Sequence, residues 1–268
     1  MAWLHDEGRR VIRERHKPMN RMRMSLMSGD ADHWLSSTSK NATLPLIQEL
    51  SELSWSTKKQ LLQNATLVRL EPGEPLHHAQ SGIDELYLLQ DGLVRLYRLS
   101  ETGDEFTIGF AKAGEIIGDQ GLFEDTPSED FAVAMQHSVL VRLSARALKD
   151  ALSESTGLSA IILAQIQSKN RYLSALAEDL VFRSAPSRLA KMILRLAWRF
   201  GEDGGDSTRV ALRLTQSELA TLIGSSRTTV NLTLTEFRLK GCIDIIDGHI
   251  HIENLIALSK IARMEDHE

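Results

Sequence analysis

Three polar residues toward the carboxyl terminus, Arg227, Thr228 and Asn231, lie within a single turn and a half of one predicted helix. Arginine can donate two parallel hydrogen bonds to guanine, and asparagine can pair in the same way with adenine. Threonine can contact either a hydrogen-bonding base edge or the methyl group of thymine. This combination of residues predicts a surface that reads base pairs in a groove of DNA.

The elements around these residues match a helix-turn-helix motif. Thr215-Gln-Ser-Glu218 is a capping box that begins a short helix through Ile223, and Gly224 provides a tight turn. Either Ser225 or Ser226 can cap a second helix. The apolar residues with inward spacing in that helix are Val230, Leu234 and Phe237. The three polar residues lie away from this apolar stripe, as DNA reading requires.

Two short strands are predicted directly after the second helix. Cys242–Ile246 and His249–Ile252 flank Asp247-Gly248, a dipeptide that favours a tight hairpin. A helix-turn-helix with such a hairpin is a winged helix-turn-helix, whose second helix enters the major groove. The expected DNA-contacting residues are Ser225, Ser226, Arg227, Thr228, Thr229, Asn231 and Arg188, the last as a phosphate contact.

Charge is distributed unevenly along the chain, although the formal net charge is only −5. The segment from Glu101 to Glu154 holds eleven acidic and four basic residues. The segment from Arg183 to Lys240 holds ten basic and five acidic residues. A basic segment in an acidic protein is expected when one module meets phosphate, and the DNA-reading residues lie in that segment.

The composition is that of a globular protein of 268 residues, enough for two domains. No apolar run approaches the roughly 18 residues that a membrane span needs, and no apolar signal core begins the chain, so we expect a cytoplasmic protein without membrane contact. Cys242 is the single cysteine, which excludes an internal disulfide and cysteine-rich metal sites. We expect its thiol to pack as a small hydrophobic group.

Short strand-like segments dominate the middle of the chain. They are Thr66–Leu70, Leu86–Leu89, Leu93–Leu99, Glu105–Phe110, Phe131–Met135 and Val139–Leu143. Turn signals such as Asp91-Gly92 separate them, which predicts an antiparallel barrel or sandwich of roughly eight strands. Helical spacing between Leu44 and Asn64 indicates short helices before the strands. Residues 1–43 are expected to form a flexible extension.

A long helix is predicted over Thr156–Phe182, where no proline occurs and no glycine follows Gly157. Residues in this helix are spaced by four and three in alternation: Ile162, Ile166, Lys169, Leu173, Leu176 and Leu180. This spacing is typical of a coiled-coil seam, so we expect a homodimer interface in preference to a core helix lying on the barrel. Lys169 would be a partly hydrated position that sets the register. Ser184 is expected to cap a further helix, Ser187–Phe200, which a loop over Gly201–Ser207 follows.

The order of these parts resembles the family of the catabolite activator protein and the fumarate–nitrate regulator, over about residues 44–260. The motifs that carry the resemblance are Glu71-Pro-Gly-Glu74, Leu86–Tyr97, Gly114–Gly118, Gly121-Leu-Phe123, Ser187–Ala190 and Leu214–Val230. The resemblance implies an α+β fold with an N-terminal double-stranded β-roll of the cyclic-nucleotide-binding type, a long dimerisation helix and a C-terminal winged helix-turn-helix. It also implies a homodimer on a near-palindromic double-stranded DNA operator, and contact with RNA polymerase.

The domains that follow from this comparison are an extension at 1–43, a β-roll sensor at 44–155, a dimerisation helix at 156–183 and a DNA-binding domain at 184–268. The implied effector pocket contains Gly118, Asp119, Gln120, Gly121, Leu122, Glu129, Asp130, Leu173 and Ser174. In members that bind cyclic AMP, an Arg-Ser pair holds the cyclic phosphate, and those two positions fall on Glu129 and Asp130 here. Because carboxylates repel a phosphodiester, we expect no cyclic AMP binding of the usual kind. No cofactor is expected, although an unidentified small-molecule effector stays open.

Two alternatives involve different chemistry. The first alternative is a regulator of the same family that depends on a cyclic nucleotide or on haem, with His77 or His78 as the haem ligand. A cupin-like metalloenzyme would need a His-x-His pair and a carboxylate inside the barrel, but His249-Ile-His251 lies in the predicted wing. We therefore expect neither a metal site nor enzyme activity.

Overall fold

The computed structural model describes Leu50 and residues 53–77, 85–122, 130–203 and 207–263. The predicted extension over residues 1–43 lies outside the described residues. The packing divides the chain into two compact units, one ending at Leu173 and the other beginning at Ser174. None of the described helices is long and apolar enough to span a membrane.

The first unit contains a β-roll, which confirms the prediction of an antiparallel β domain. Its strands are β1 Thr66–Leu70, β2 Pro75–His77, β3 Glu85–Asp91, β4 Leu93–Leu99, β5 Glu105–Lys112, β6 Ile116–Ile117, β7 Phe131–Ala134 and β8 Ser138–Ser144. They form two antiparallel sheets, ordered β1-β8-β3-β6 and β2-β7-β4-β5. The sequence prediction missed β2 and β6, because strands of three and two residues are too short to show an alternating pattern.

Strand β3 separates the two apolar cores of this unit. Side chains of a strand alternate between the faces of a sheet, so Leu86 and Leu88 pack against helices while Tyr87 and Leu89 fill the inside of the roll. The helices are α1 Trp55–Leu62, α2 Ala145–Glu154 and α3 Thr156–Phe182. Burial on both faces explains why β3 has a continuous apolar run instead of an alternating pattern.

Helix α3 has the bounds that the sequence predicts, but the predicted dimer seam needs correction. Ile162 and Leu176 are each 3% exposed within their own chain, and Ile162 belongs to the core between the helices and the roll. Lys169 forms ion pairs with the roll of its own chain. Side chains already covered in this way are not available to a partner. The stripe that was assigned to a dimer serves, at these positions, the packing of the chain itself.

The second unit holds the helix-turn-helix and a small sheet. Its elements after α3 are α4 Ala185–Phe200, β9 Gly201–Asp203, β10 Thr208–Arg213, α5 Gln216–Ile223, α6 Arg227–Leu239, β11 Ile243–Ile246, β12 His249–Ile252 and α7 Leu255–Ala262. The antiparallel sheet has the order β11-β12-β10-β9. Helix α4 begins at Ala185, before the predicted Ser187, because proline is accepted in the first turn of a helix. Part of the predicted loop is wrong, since Gly201–Asp203 is a strand that pairs with β10.

Asp179 is a buried carboxylate that joins the end of α3 to α4. Its side chain is 3% exposed, and three cations surround it. Arg183 Nε lies 3.0 Å from Asp179 Oδ1, Lys191 Nζ lies 2.5 Å from the same oxygen, and Arg195 Nη2 lies 2.7 Å from Oδ2. Burial lowers the pKa of Lys191, and the hydrogen bond to Asp179 opposes that shift. One carboxylate therefore offsets part of the electrostatic repulsion among three partly buried cations.

We expect Asp179→Asn to lower the free energy of unfolding of the second unit by about 3–5 kcal/mol, because three cations lose their counter-charge while burial persists. Chemical denaturation followed by the fluorescence of Trp198, with the other tryptophans replaced by phenylalanine, measures the change. Glu178→Gln, at the neighbouring exposed carboxylate, is the matched control and should change it by less than about 0.5 kcal/mol. Equal effects of the two variants would contradict the role of Asp179.

Candidate nucleic-acid interface and effector pocket

Side-chain caps and a left-handed glycine fix the turn between α5 and α6. The Thr215 hydroxyl accepts from the Glu218 backbone N–H at 3.1 Å, and the Glu218 carboxylate accepts from the Thr215 N–H at 2.7 Å. Gly224 ends α5 in the left-handed conformation, at φ +58°, which favours glycine. Ser226 then caps α6 by accepting from the Thr229 N–H at 3.0 Å. The predicted capping box, turn and second cap are thus confirmed.

Helix α6 has one buried face and one exposed face. The buried residues are Val230, Thr233, Leu234 and Phe237. On the other side Arg227, Thr228 and Asn231 are exposed, and Ser225 and Thr229 are partly buried. The structure therefore brings the predicted reading residues together at the start of α6. Ser226 and Thr229 share a hydrogen bond that stabilises this end of the helix.

Gln216 is a neighbour of the reading residues that the sequence prediction missed. Its Nε2 donates a hydrogen bond of 2.9 Å to Asn231 Oδ1, and this bond joins the first turn of α5 to α6. The bond orients the Asn231 amide, so its NH₂ group is left to point to a ligand. Nothing in the local pattern could have indicated the pair, because the two residues lie fifteen positions apart and meet only through the turn.

Arg188 has contacts within the chain that the sequence prediction did not include. Its guanidinium donates to the carbonyl of Ile223 at 2.9 Å, to that of Arg183 at 2.7 Å and to that of Gly224 at 3.3 Å. The last carbonyls of a helix have no partner within the helix, and Arg188 supplies one for the end of α5. Arg188 therefore stabilises the turn of the motif within the chain, and its contact with phosphate stays a prediction.

The wing is present as predicted, with β11 and β12 on either side of Asp247-Gly248. His249 Nε2 lies 2.9 Å from Arg209 Nη2, so this imidazole contacts the neighbouring strand of the same sheet. The part of the chain that the structure describes holds no group of three residues suited to a metal ion. Cys242 is 1% exposed, and burial raises the pKa of its thiol, so it packs as an unreactive hydrophobic group.

In the predicted effector pocket, two carboxylates of the roll meet cations of the same chain. Lys169 Nζ lies 3.1 Å from Asp119 Oδ1 and 3.7 Å from Asp130 Oδ2. Arg98 Nε lies 2.9 Å from Asp130 Oδ1. The Asp130 side chain is 8% exposed, so these contacts operate at reduced solvent screening. Among the described pocket residues, Asp119 and Asp130 thus each contact a cation, which the sequence prediction of plain carboxylate repulsion did not include.

The other predicted pocket residues differ in burial and in the backbone they occupy. Gly118 has φ +86°, and a Cβ there would lie 3.0 Å from the carbonyl oxygen of Glu85, so only glycine fits. Leu122 is buried in the core of the unit, Leu173 is partly buried and Ser174 is exposed. The backbone of Gln120 and Gly121 lies in a short 3₁₀ helix over Asp119–Leu122. Glu129 and His78 lie outside the described residues, as does the side chain of His77.

Two protein-family models match the chain. The cyclic nucleotide-binding domain matches residues 67–155, and the Crp-like helix-turn-helix domain matches residues 187–261. The first covers the roll, and the second covers the helix-turn-helix and its wing.

Characterised relatives agree with both matches. The chain is 30% identical over 180 residues to the CRP-like cAMP-activated global transcriptional regulator of Mycobacterium tuberculosis, covering 67% of this chain and 80% of that protein. It is 30% identical over 191 residues to the global nitrogen regulator of Synechocystis, covering 70% and 82%. None of this supports the cupin-like enzyme considered above.

Solved structures share the fold. A mutant of CooA from Carboxydothermus hydrogenoformans superposes with a TM-score of 0.68 at 22% identity, covering 81% of this chain and 95% of that one. A regulator of the CRP/FNR family from Thermus thermophilus superposes with a TM-score of 0.63 at 23% identity, covering 74% and 99%. The predicted order of roll, long helix and winged helix-turn-helix is confirmed.

Arg188→Ala should destabilise the second unit by about 1–3 kcal/mol, because the carbonyls at the end of α5 lose a charged donor. The same denaturation assay with Trp198 fluorescence measures this loss. A phosphate contact would have another signature: unchanged stability, and a salt dependence of DNA binding whose slope falls by about one. That second result would confirm the prediction made from the sequence.

Proposed function

The chain belongs to the CRP/FNR family of transcription regulators, and from this premise we propose that it acts in the cytoplasm as a homodimer on a near-palindromic operator. The family consists of DNA-binding regulators and not of enzymes. Two symmetric copies would place one α6 helix in each of two successive major grooves. Contact with RNA polymerase is part of the proposal through the family resemblance alone.

The observation that carries this proposal is the exposed start of α6. Arg227, Thr228 and Asn231 are exposed there, and the opposite face of the helix is buried. Caps at Gly224 and Ser226 fix the end of α5 and the start of α6. Residues near the beginning of a recognition helix are those that reach base edges. Arg227 supplies the guanine-reading fork, and the surrounding basic segment supplies attraction to phosphate.

For the dimer, we propose an exposed stripe on α3 beside the predicted seam, because Ile162 and Leu176 of that seam are buried within the chain. Its residues are spaced by three and four in alternation: Ala160, Leu163, Gln167, Asn170, Ser174, Ala177 and Val181. Leu163 is 58% exposed and Val181 is 72% exposed, so apolar side chains near both ends of the stripe lack cover within the chain. The polar residues between them suit the register-setting positions of a coiled coil. We infer that two α3 helices pair along this stripe.

For the sensor, we propose that the roll does not bind cyclic AMP in the manner of cyclic-AMP-dependent relatives. Lys169 and Arg98 both contact Asp130, one of the two positions predicted to face the phosphate, and Lys169 also contacts Asp119. A phosphodiester would have to displace Asp119 and Asp130 from these cations while lying beside their negative charge. DNA binding is then either independent of an effector or controlled by a different small molecule.

Arg227→Ala should weaken binding to the preferred operator by about 1–3 kcal/mol and should relax discrimination at one base pair of each half-site, because a bidentate guanine contact is lost. Fluorescence anisotropy with the selected operator and with random duplex measures both effects. Arg263→Ala, at an exposed arginine after the last helix, is the control. Equal losses on operator and random duplex would show that Arg227 contacts phosphate only.

The combined variant Leu163→Glu and Val181→Glu should dissociate the dimer, because each carboxylate would face its symmetry copy across the two-fold axis. Sedimentation equilibrium gives the mass, and operator binding should fall with it. The control carries Leu67→Glu and Ile256→Glu, which replace exposed apolar residues outside α3. An unchanged mass for the first variant would place the interface elsewhere.

Calorimetric titration with cyclic AMP should show no micromolar binding and no gain in operator affinity. The physical reason is that the nearby cations already contact internal carboxylates. The Mycobacterium tuberculosis relative, whose name describes it as cAMP-activated, is the positive control under the same conditions. Micromolar affinity together with tighter operator binding would contradict this view of the pocket.

A further inference from the structure

The centre of the exposed face of α6 is a stripe of residues without charge. Thr228, Leu232, Thr235 and Leu239 are separated by four, three and four residues, and all four are exposed. The spacing places them in one line along the helix, on the side opposite the buried face. Arg227 and Asn231 lie beside this stripe. The part of α6 that faces directly outward is therefore mainly aliphatic.

Leu232 is the aliphatic residue of the stripe that lies nearest the reading residues. Its side chain is 66% exposed, and it follows Thr228 by one helical turn. The Thr235 hydroxyl donates to the backbone carbonyl of Asn231 at 2.9 Å, so the outward part of Thr235 is left to its methyl group. Around Leu232, this stripe of side chains therefore presents methyl groups to a ligand.

The major groove contains one matching feature. Among the four bases, thymine alone presents a methyl group on its major-groove edge, whereas guanine and adenine present hydrogen-bonding atoms there. A leucine side chain over guanine N7 and O6 would remove water from these acceptors without replacing the hydrogen bonds, which is unfavourable. Contact with a thymine methyl removes apolar surface from water on both sides.

We propose that Leu232 selects a thymine in each half-site through contact with its methyl group. This inference rests on the proposed DNA binding by α6 and adds the chemistry of a second base pair to the one read by Arg227. Discrimination at this base pair depends on apolar contact, so it is insensitive to salt, unlike the binding contributed by phosphate contacts.

The test removes one methyl group at a time from the DNA. An operator is selected from random duplex with the wild-type chain, and each thymine of a half-site is then replaced in turn by uracil, which lacks only the methyl group. One replacement should weaken wild-type binding about fourfold, the effect of losing one buried methyl group. For Leu232→Ala the same replacement should have no further effect. Leu239→Ala is the matched control, since Leu239 lies on the same stripe roughly 10 Å farther along the helix.

The outcomes separate the inference from the proposed function. If no uracil replacement distinguishes Leu232→Ala from the wild type, Leu232 does not read a methyl group and the inference fails while operator binding stands. The same conclusion follows if Leu232→Ala selects the operator unchanged, as it would if this leucine docked a protein. If the wild-type chain selects no operator at all, the proposed function itself fails. Circular dichroism of Leu232→Ala verifies that the exposed substitution leaves the fold intact.

Discussion

A single buried carboxylate, Asp179, links the end of α3 to α4 in the DNA-reading part of this protein. Asp179 lies in the last turns of α3 and forms ion pairs with Arg183, Lys191 and Arg195, of which the last two belong to α4. Cations this close together would repel one another without a shared counter-charge. Helix α4 in turn carries Arg188, whose guanidinium contacts the end of α5. These charged contacts act together with the buried apolar face of α4, which packs inside the same unit.

A second ionic cluster governs the chemistry of the roll. Lys169 belongs to the same long helix as Asp179, but its ammonium contacts Asp119 and Asp130 of the roll. In a pocket that binds an anionic ligand, the cations must be available to that ligand. Here the chain supplies its own anions, and the cations near the phosphate position are engaged. The chain matches the cyclic nucleotide-binding domain, and these ion pairs are the observation behind our proposal that the roll does not bind cyclic AMP in the usual manner.

The recognition helix combines two kinds of base recognition. Arg227 offers hydrogen bonds in a fixed fork, and Leu232 offers only apolar contact. The hydrogen bond from Gln216 to Asn231 adds a third constraint, because it commits the amide oxygen and orients the amide nitrogen outward. The two proposed contacts call for a guanine read by Arg227 and a thymine read by Leu232 in each half-site.

The sequence by itself determined the features that depend on local chemistry. Caps at Thr215 and Ser226, the turn at Gly224, the bounds of α3 and most strands of the roll follow from residue type and spacing, because hydrogen bonds and side-chain periodicity within a few residues fix them. Only the tertiary structure decided which stripe of α3 is covered. The apolar spacing of the predicted seam is compatible with a partner helix and with the chain's own core, and burial of Ile162 by the roll and its helices shows that the core covers it there. Likewise, the ion pair of Lys169 with Asp119 and the contacts of Arg188 with the carbonyls of Ile223 and Gly224 join residues 35 to 50 positions apart, a distance at which no local pattern reveals a partner.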